Sequence, residues 1–313
     1  MLSGLCAALV AGLLWGLVFI APVLLPDYPG LILSFGRYAA FGLIALIPAW
    51  LDRERIAQLR RQDWGAAFKL ALVGNIIYYA ALATAIQLAD APLPTMLIGT
   101  LPVVIAICAN WSQPSEALCW KKLALPLLLI SIGLLLVNAT EMAQLHGRRS
   151  NADYLRGGAT ALIAVAAWTW YPIMNSRYMK ISSHIGAGTW ATVQGLATLP
   201  LALAGFSAYG VYQRYTGAGA YLFPFGANPH TYILLMLTLG LFASWLGTVL
   251  WNHASQRLPT SLAGQLIVFE TLAALLYTFL LRGSMPAPAI LLGVLMLCGG
   301  VIVAVRAFQP SAH

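Results

Sequence analysis

Apolar residues run along the chain in ten blocks, at approximately 4–25, 31–50, 64–89, 92–112, 120–138, 157–179, 185–205, 229–254, 259–281 and 286–306. A helix of about 20 residues spans about 30 Å, the thickness of a bilayer's hydrocarbon layer. The pattern therefore predicts an all-α integral membrane protein with ten transmembrane helices. The breaks "PDYPG" (26–30), "ADAP" (89–92) and "QRLP" (256–259) are so short that the helices they join must be antiparallel. No Lys or Arg precedes the first block, so it reads as a retained helix rather than a cleaved signal peptide.

Composition agrees. Of 313 residues 60% are hydrophobic and 8% charged, against about 25% charged in soluble domains. Such a chain cannot cover a globular surface with polar groups, so lipid is its main solvent. The net charge of +8 sits mostly in the gaps between blocks, where it sets topology and implies no nucleic-acid partner. With the N-terminus inside, eleven Lys and Arg fall on the cytoplasmic side and five outside, which places both termini in the cytoplasm. Trp50, Trp64, Trp111 and Trp120 then form an inner aromatic belt, whereas Trp15, Trp168, Trp170 and Trp245 lie well within their blocks. Cys6, Cys108, Cys119 and Cys298 form no C-x-x-C pair, so neither disulfide, metal nor cofactor is expected.

The second half repeats the first. A shift of 153 residues lays Trp15 on Trp168, one of 168 lays 95–107 on 263–275 with Pro102 opposite Glu270, and one of 167 lays 133–137 on 300–304. The expected division is a five-helix repeat at 1–139, an external linker at 140–156 and a second five-helix repeat at 157–313. Five is odd, so the halves have opposite orientations in the membrane. That predicts two inverted five-helix repeats around a central cavity, with a substrate site near the midplane.

Ten blocks in two halves, "LLWG" (13–16) in the first block and the Pro94–Pro102 stretch in the fourth resemble the drug/metabolite transporter superfamily of the EamA type. Within it the chain is most similar to the bacterial aromatic amino acid exporters, the YddG-like group. The second half departs where "LLW" becomes "AAWTW" and Glu270 stands for the family proline. The resemblance implies a multi-pass protein of the bacterial inner membrane that exports small molecules.

Candidate site residues share helix faces. Asn75, Tyr78, Tyr79 and Leu82 fall at i, i+3, i+4 and i+7, and Trp168, Tyr171 and Asn175, like Trp245, Thr248 and Asn252, at i, i+3 and i+7. Trp15, Gln265 and Glu270 complete the candidate substrate-binding set. Polar groups inside a membrane normally face the bundle interior or water, so three faces of this kind point to a shared cavity. Packed core is the alternative for any one of them. Glu270 either meets a substrate amine or a proton, or bonds a neighbouring Asn, Tyr or His. Arg37 can hold a carboxylate, but snorkelling or bonding backbone carbonyls is the plainer account. Ala8, Gly12 and Gly16 form a small-residue packing stripe.

The leading expectation is a secondary transporter that exports aromatic, and more broadly neutral, amino acids by alternating access. A lipophilic-cation exporter of the same fold is the alternative. A membrane-embedded enzyme would need paired acids, clustered His or H-E-x-x-H, and none occurs. The substrate and membrane lipid are the expected partners.

Overall fold

The computed structural model describes residues 1–89, 92–113, 117, 119–143, 150–216, 221–283 and 285–308. Residues 90 and 91 of the second break and 144–149 of the expected linker lie outside the described residues. Among the described residues the chain is all helix without strands. Among the same residues, eight helical stretches are long and apolar enough to cross a membrane.

The helices follow the ten blocks. They are α1 (Leu2–Gly16, continued through a 3-10 turn at Leu17–Phe19 to Ile20–Leu24), α2 (Gly30–Leu51) and α3 (Arg61–Ala89). Next come α4, in two pieces (Pro92–Gly99 and Leu101–Ser112), α5 (Trp120–Ala143), α6 (Asn151–Ile181) and α7 (Ala187–Thr216). The last are α8 (Pro229–Arg257), α9, in two pieces (Thr260–Leu266 and Val268–Arg282), and α10 (Pro288–Ala307). The two blocks outside the eight long apolar stretches are α4, which is broken, and α6, which is diluted by Trp, Tyr, Asn and charged ends.

Three departures from the expected pattern matter. α3 widens into a π-helix at Ala71–Ile77, and α8 does so at Leu239–Leu246. α4 and α9 are both interrupted mid-span, around Thr100 and Ile267. α7 continues eleven residues beyond its block, because 206–216 contains nothing that breaks a helix once Gly210 is accommodated.

Helix pairing defines a ring. α1 packs on α8 and α9, α6 on α3 and α4, α2 on α7 and α8, α3 on α7, and α4 on α9. Outside this ring, α5 and α10 pack on each other. A Cβ at Gly133 would lie 2.8 Å from the Gly293 carbonyl oxygen, so these two backbones touch. Lipid is as apolar as leucine, so close packing and polar bonds, rather than burial alone, hold such a bundle together. The stripe on α1 serves this purpose. A Cβ on Gly12 would meet Phe269 Cβ at 2.8 Å, and one on Gly16 would meet Ala273 Cβ at 2.5 Å. The stripe therefore brings α1 against α9 on either side of Glu270.

Candidate functional site

The ring encloses a central cavity lined by α1, α2, α3, α6, α8 and α9. Its free volume is about 30 Å³, room for two or three waters at about 10–15 Å³ each. One wall is a stack of three rings. Trp168 lies between Tyr78, at 4.4 Å and 20°, and Tyr171, at 5.1 Å and 8°. Trp15 meets the Trp168 edge at 5.6 Å and 70°, and Trp251 backs Trp15 at 5.1 Å. Offset and edge-on ring pairs of this kind contribute about 0.5–1.5 kcal/mol each.

Facing the rings are the two deep charges. Glu270 is 9% exposed, and its carboxylate has no hydrogen-bond or ion-pair partner among the described residues. The interruption at Ile267 puts it in the first turn of Val268–Arg282, where the helix dipole favours an anion. Arg37 corrects the snorkelling expectation. It is 7% exposed and turns inward, donating from Nε to Ser244 Oγ at 2.9 Å. Its guanidinium lies over the rings of Tyr38 (4.9 Å) and Tyr79 (5.3 Å). The inward pose follows from those partners, since a hydroxyl and two ring faces replace the water that a snorkelling arginine seeks. Arg37 and Glu270 thus line one cavity without pairing directly.

Of the expected set, Trp15, Asn75, Tyr78, Trp168, Tyr171, Thr248 and Glu270 line the cavity. Asn75 also donates to Thr198 Oγ1 at 2.9 Å, which ties α3 to α7. Tyr79 stands one residue round the helix, in a neighbouring pocket and against Arg37. Three residues lie apart from the wall. Trp245 donates to Thr192 Oγ1 at 3.2 Å, because the π-helical turns rotate it away and bring Ala243 and Ser244 inward. Gln265 is fully buried and bonds its own helix at the Ser261 carbonyl, 3.3 Å away.

Asn175 lies below the cavity, at the centre of a buried network. Its Oδ1 accepts from Trp190 Nε1 and Gln194 Nε2, both at 3.0 Å, and its Nδ2 donates to Asn252 Oδ1 at 2.8 Å. Gln194 Oε1 in turn accepts from the Tyr171 hydroxyl at 2.9 Å, so the network ends on the cavity wall. Val18, Phe19, Tyr38 and Phe41 also line the cavity. Their only sequence signal is proximity to Trp15 and Arg37.

The two ends of the bundle differ. At the end carrying Arg53 to Arg61, side chains cross between helices: Tyr178 to Asp63, Thr189 to Asp52, and Ser176 through Thr260 to Gln113. Toward the other end a pocket of about 310 Å³ opens between α1, α2 and α3. It shares Val18, Phe19 and Leu82 with the cavity. Beside it, Tyr28 accepts from the Asn228 backbone N–H at 2.8 Å and donates to the Phe225 carbonyl at 2.7 Å, which fastens the α7–α8 segment.

Comparison with known proteins adds the context. A model of the EamA-like transporter family matches residues 2–139. Over 311 residues the chain is 48% identical to the inner membrane protein YtfF of Escherichia coli (strain K12), covering 98% of this chain and 96% of that one. It is 20% identical over 297 residues to the uncharacterized transporter YoaV of Bacillus subtilis (strain 168), covering 93% and 92%. One solved crystal structure superposes with a TM-score of 0.74 over 97% of this chain and 96% of that chain, at 17% identity, which is a likeness of fold.

Proposed function

The chain belongs to the EamA-like transporter family, and from that premise we propose that it exports aromatic, and more broadly neutral, amino acids across a bacterial inner membrane by alternating access. The observation that carries this reading is the cavity itself: a buried carboxylate with no hydrogen bond or direct ion pair among the described residues, a buried guanidinium and a stack of aromatic rings on one wall. A zwitterion presents an ammonium to Glu270 and a carboxylate to Arg37, and an aromatic side chain finds ring faces. A lipophilic cation would satisfy Glu270 but would have to sit beside Arg37, which disfavours it by like-charge repulsion.

The reading includes two inverted five-helix repeats, 1–139 and 157–313, joined by the 140–156 linker. The 168-residue offset seen in the sequence lays the π-helix at 71–77 on 239–245, within the second π-helix. It also lays the α4 interruption on that of α9. The ring pairings follow the same exchange, α3–α6 with α8–α1 and α2–α8 with α7–α3. The family model, too, ends where the first repeat is expected to end. With both termini cytoplasmic, the cross-bonded end is the cytoplasmic one and the pocketed end faces outward.

Export then requires the cross-bonds at the Arg53–Arg61 end to separate so that substrate can enter, and to re-form as the outer end opens. The test is reconstitution in liposomes, measuring uptake of labelled Phe, Trp, Met, Thr and a lipophilic cation, with and without a pH gradient. Saturable Phe or Trp transport is expected. Transport of the cation with no amino acid moved would overturn the assignment.

A further inference from the structure

The central cavity, at about 30 Å³, holds charged groups but not a ring, whereas the pocket next to it holds about 310 Å³. Ligand sites usually begin at about 300 Å³, so the cavity alone is not a complete site. The pocket is walled by Phe19, Pro22, Tyr28, Tyr79, Leu82 and Ile86, and it offers ring faces and aliphatic surface without a charge. It meets the cavity at Val18, Phe19 and Leu82. Tyr79 belongs to this pocket and also lies under the Arg37 guanidinium, which itself lines the cavity.

We propose that the two spaces are one substrate site in two compartments. The Arg37–Glu270 cavity takes the ammonium and carboxylate of an amino acid, and the pocket between α1, α2 and α3 takes its side chain. This inference rests on the export reading and narrows it. The selected class is zwitterionic amino acids with large apolar or aromatic side chains. Phe19, Leu82 and Ile86, which carry no polar group that would draw attention in the sequence, set the size limit. The physical argument is complementarity on both sides of one junction. Opposite charges that line one cavity without a direct ion pair can accept a ligand bearing both charges, and the adjoining uncharged volume suits the apolar remainder of that ligand. A lipid chain entering the same pocket between helices would need no charged compartment.

Ile86 is half-buried, so a larger side chain there has room to point into the pocket. The test uses full-length protein in liposomes and reads preference rather than rate. Uptake of labelled Phe is competed with Trp, Leu, Thr, phenethylamine (no carboxylate) and phenylpropionate (no ammonium). Phe and Trp should compete well, and the two single-charge analogues at least about tenfold less well, the scale on which unmet polar and size requirements discriminate. Ile86→Trp should lower the Phe-to-Thr uptake ratio about tenfold. Phe19→Ala should raise Trp relative to Phe, which keeps the test informative if the larger substitution folds poorly. Unchanged preference in both variants, or a common loss across all substrates in both, would overturn the two-compartment site while leaving export in place. A wild-type protein that moves no amino acid would remove both readings.

Discussion

Replacing Asn175 with Ala removes an amide that is fully buried and makes three side-chain bonds, from Trp190 Nε1, from Gln194 Nε2 and to Asn252 Oδ1. Interhelical hydrogen bonds in membrane bundles average about 0.6 kcal/mol each, so the bonds alone account for about 2 kcal/mol. The truncation also leaves the Trp190 and Gln194 donors facing an apolar gap. An orphaned buried group costs about 1–3 kcal/mol where no water replaces the partner. Bond loss and orphaning describe the same contacts and are not summed, so the expected destabilisation runs from about 2 kcal/mol, where the site relaxes, to about 6 kcal/mol, where both donors stay dry. The assay is reversible unfolding in mixed micelles, comparing midpoints at constant denaturant dependence. Transport should report differently. Asn175 is outside the cavity wall and reaches it only through Gln194 and Tyr171, so the KM for Phe should change less than threefold in whatever protein remains folded. A variant of wild-type stability, or one whose KM rises tenfold without losing stability, would refute this account and return Asn175 to the substrate.

Other outcomes follow from the same geometry. Gly74→Ala places a Cβ 2.2 Å from Tyr171 Cδ2, so the stack on Trp168 must shift; a loss of about 1–3 kcal/mol and a higher KM are expected, whereas Gly65→Ala, with nothing within 4 Å, should be neutral or slightly stabilising by melting temperature. Glu270→Gln should lower kcat/KM for Phe at least about tenfold, as loss of a buried charged contact does; unchanged uptake would remove its charge role. Arg37→Ala should weaken Phe more than phenethylamine in competition, since only Phe carries the carboxylate. Trp168→Ala should destabilise by about 3–5 kcal/mol and Trp168→Phe by less, as read by unfolding in micelles.

The all-helical fold was legible because lipid demands long apolar blocks, and among the described residues eight of the ten blocks carry helices long and apolar enough to cross a membrane. The small-residue stripe on α1 was legible for a related reason: Gly12 and Gly16 leave room that only another backbone fills. Faces assigned with the 3.6-residue period held for Trp168 and Tyr171, which lie on regular helix. They failed at Trp245, because no local residue pattern announces the π-helix that turns it toward Thr192. Asn175 shares the face of Trp168 and Tyr171 yet lies a turn below the cavity; a face fixes direction around the axis, not depth along it. The inward turn of Arg37 was not legible because two of its partners, Ser244 and Tyr79, come from other helices. Tyr38 and Phe41 were missed because an aromatic residue that lines a cavity and one that packs a core have the same composition.

The two π-helical stretches also affect how length changes are tolerated in this chain. A π turn holds one residue more than an α turn in the same loop of hydrogen bonds. Losing one residue within 71–77 or 239–246 can be absorbed by reverting to ordinary α geometry, leaving every later side chain aimed as before. The same loss in the regular part of α6 would swing everything after it by about 100° around the axis, turning the rings of the stack toward lipid. These two places are therefore slack in an otherwise phase-locked wall. Single-residue gaps between this chain and its transporter relatives should collect there and be scarce around Trp168.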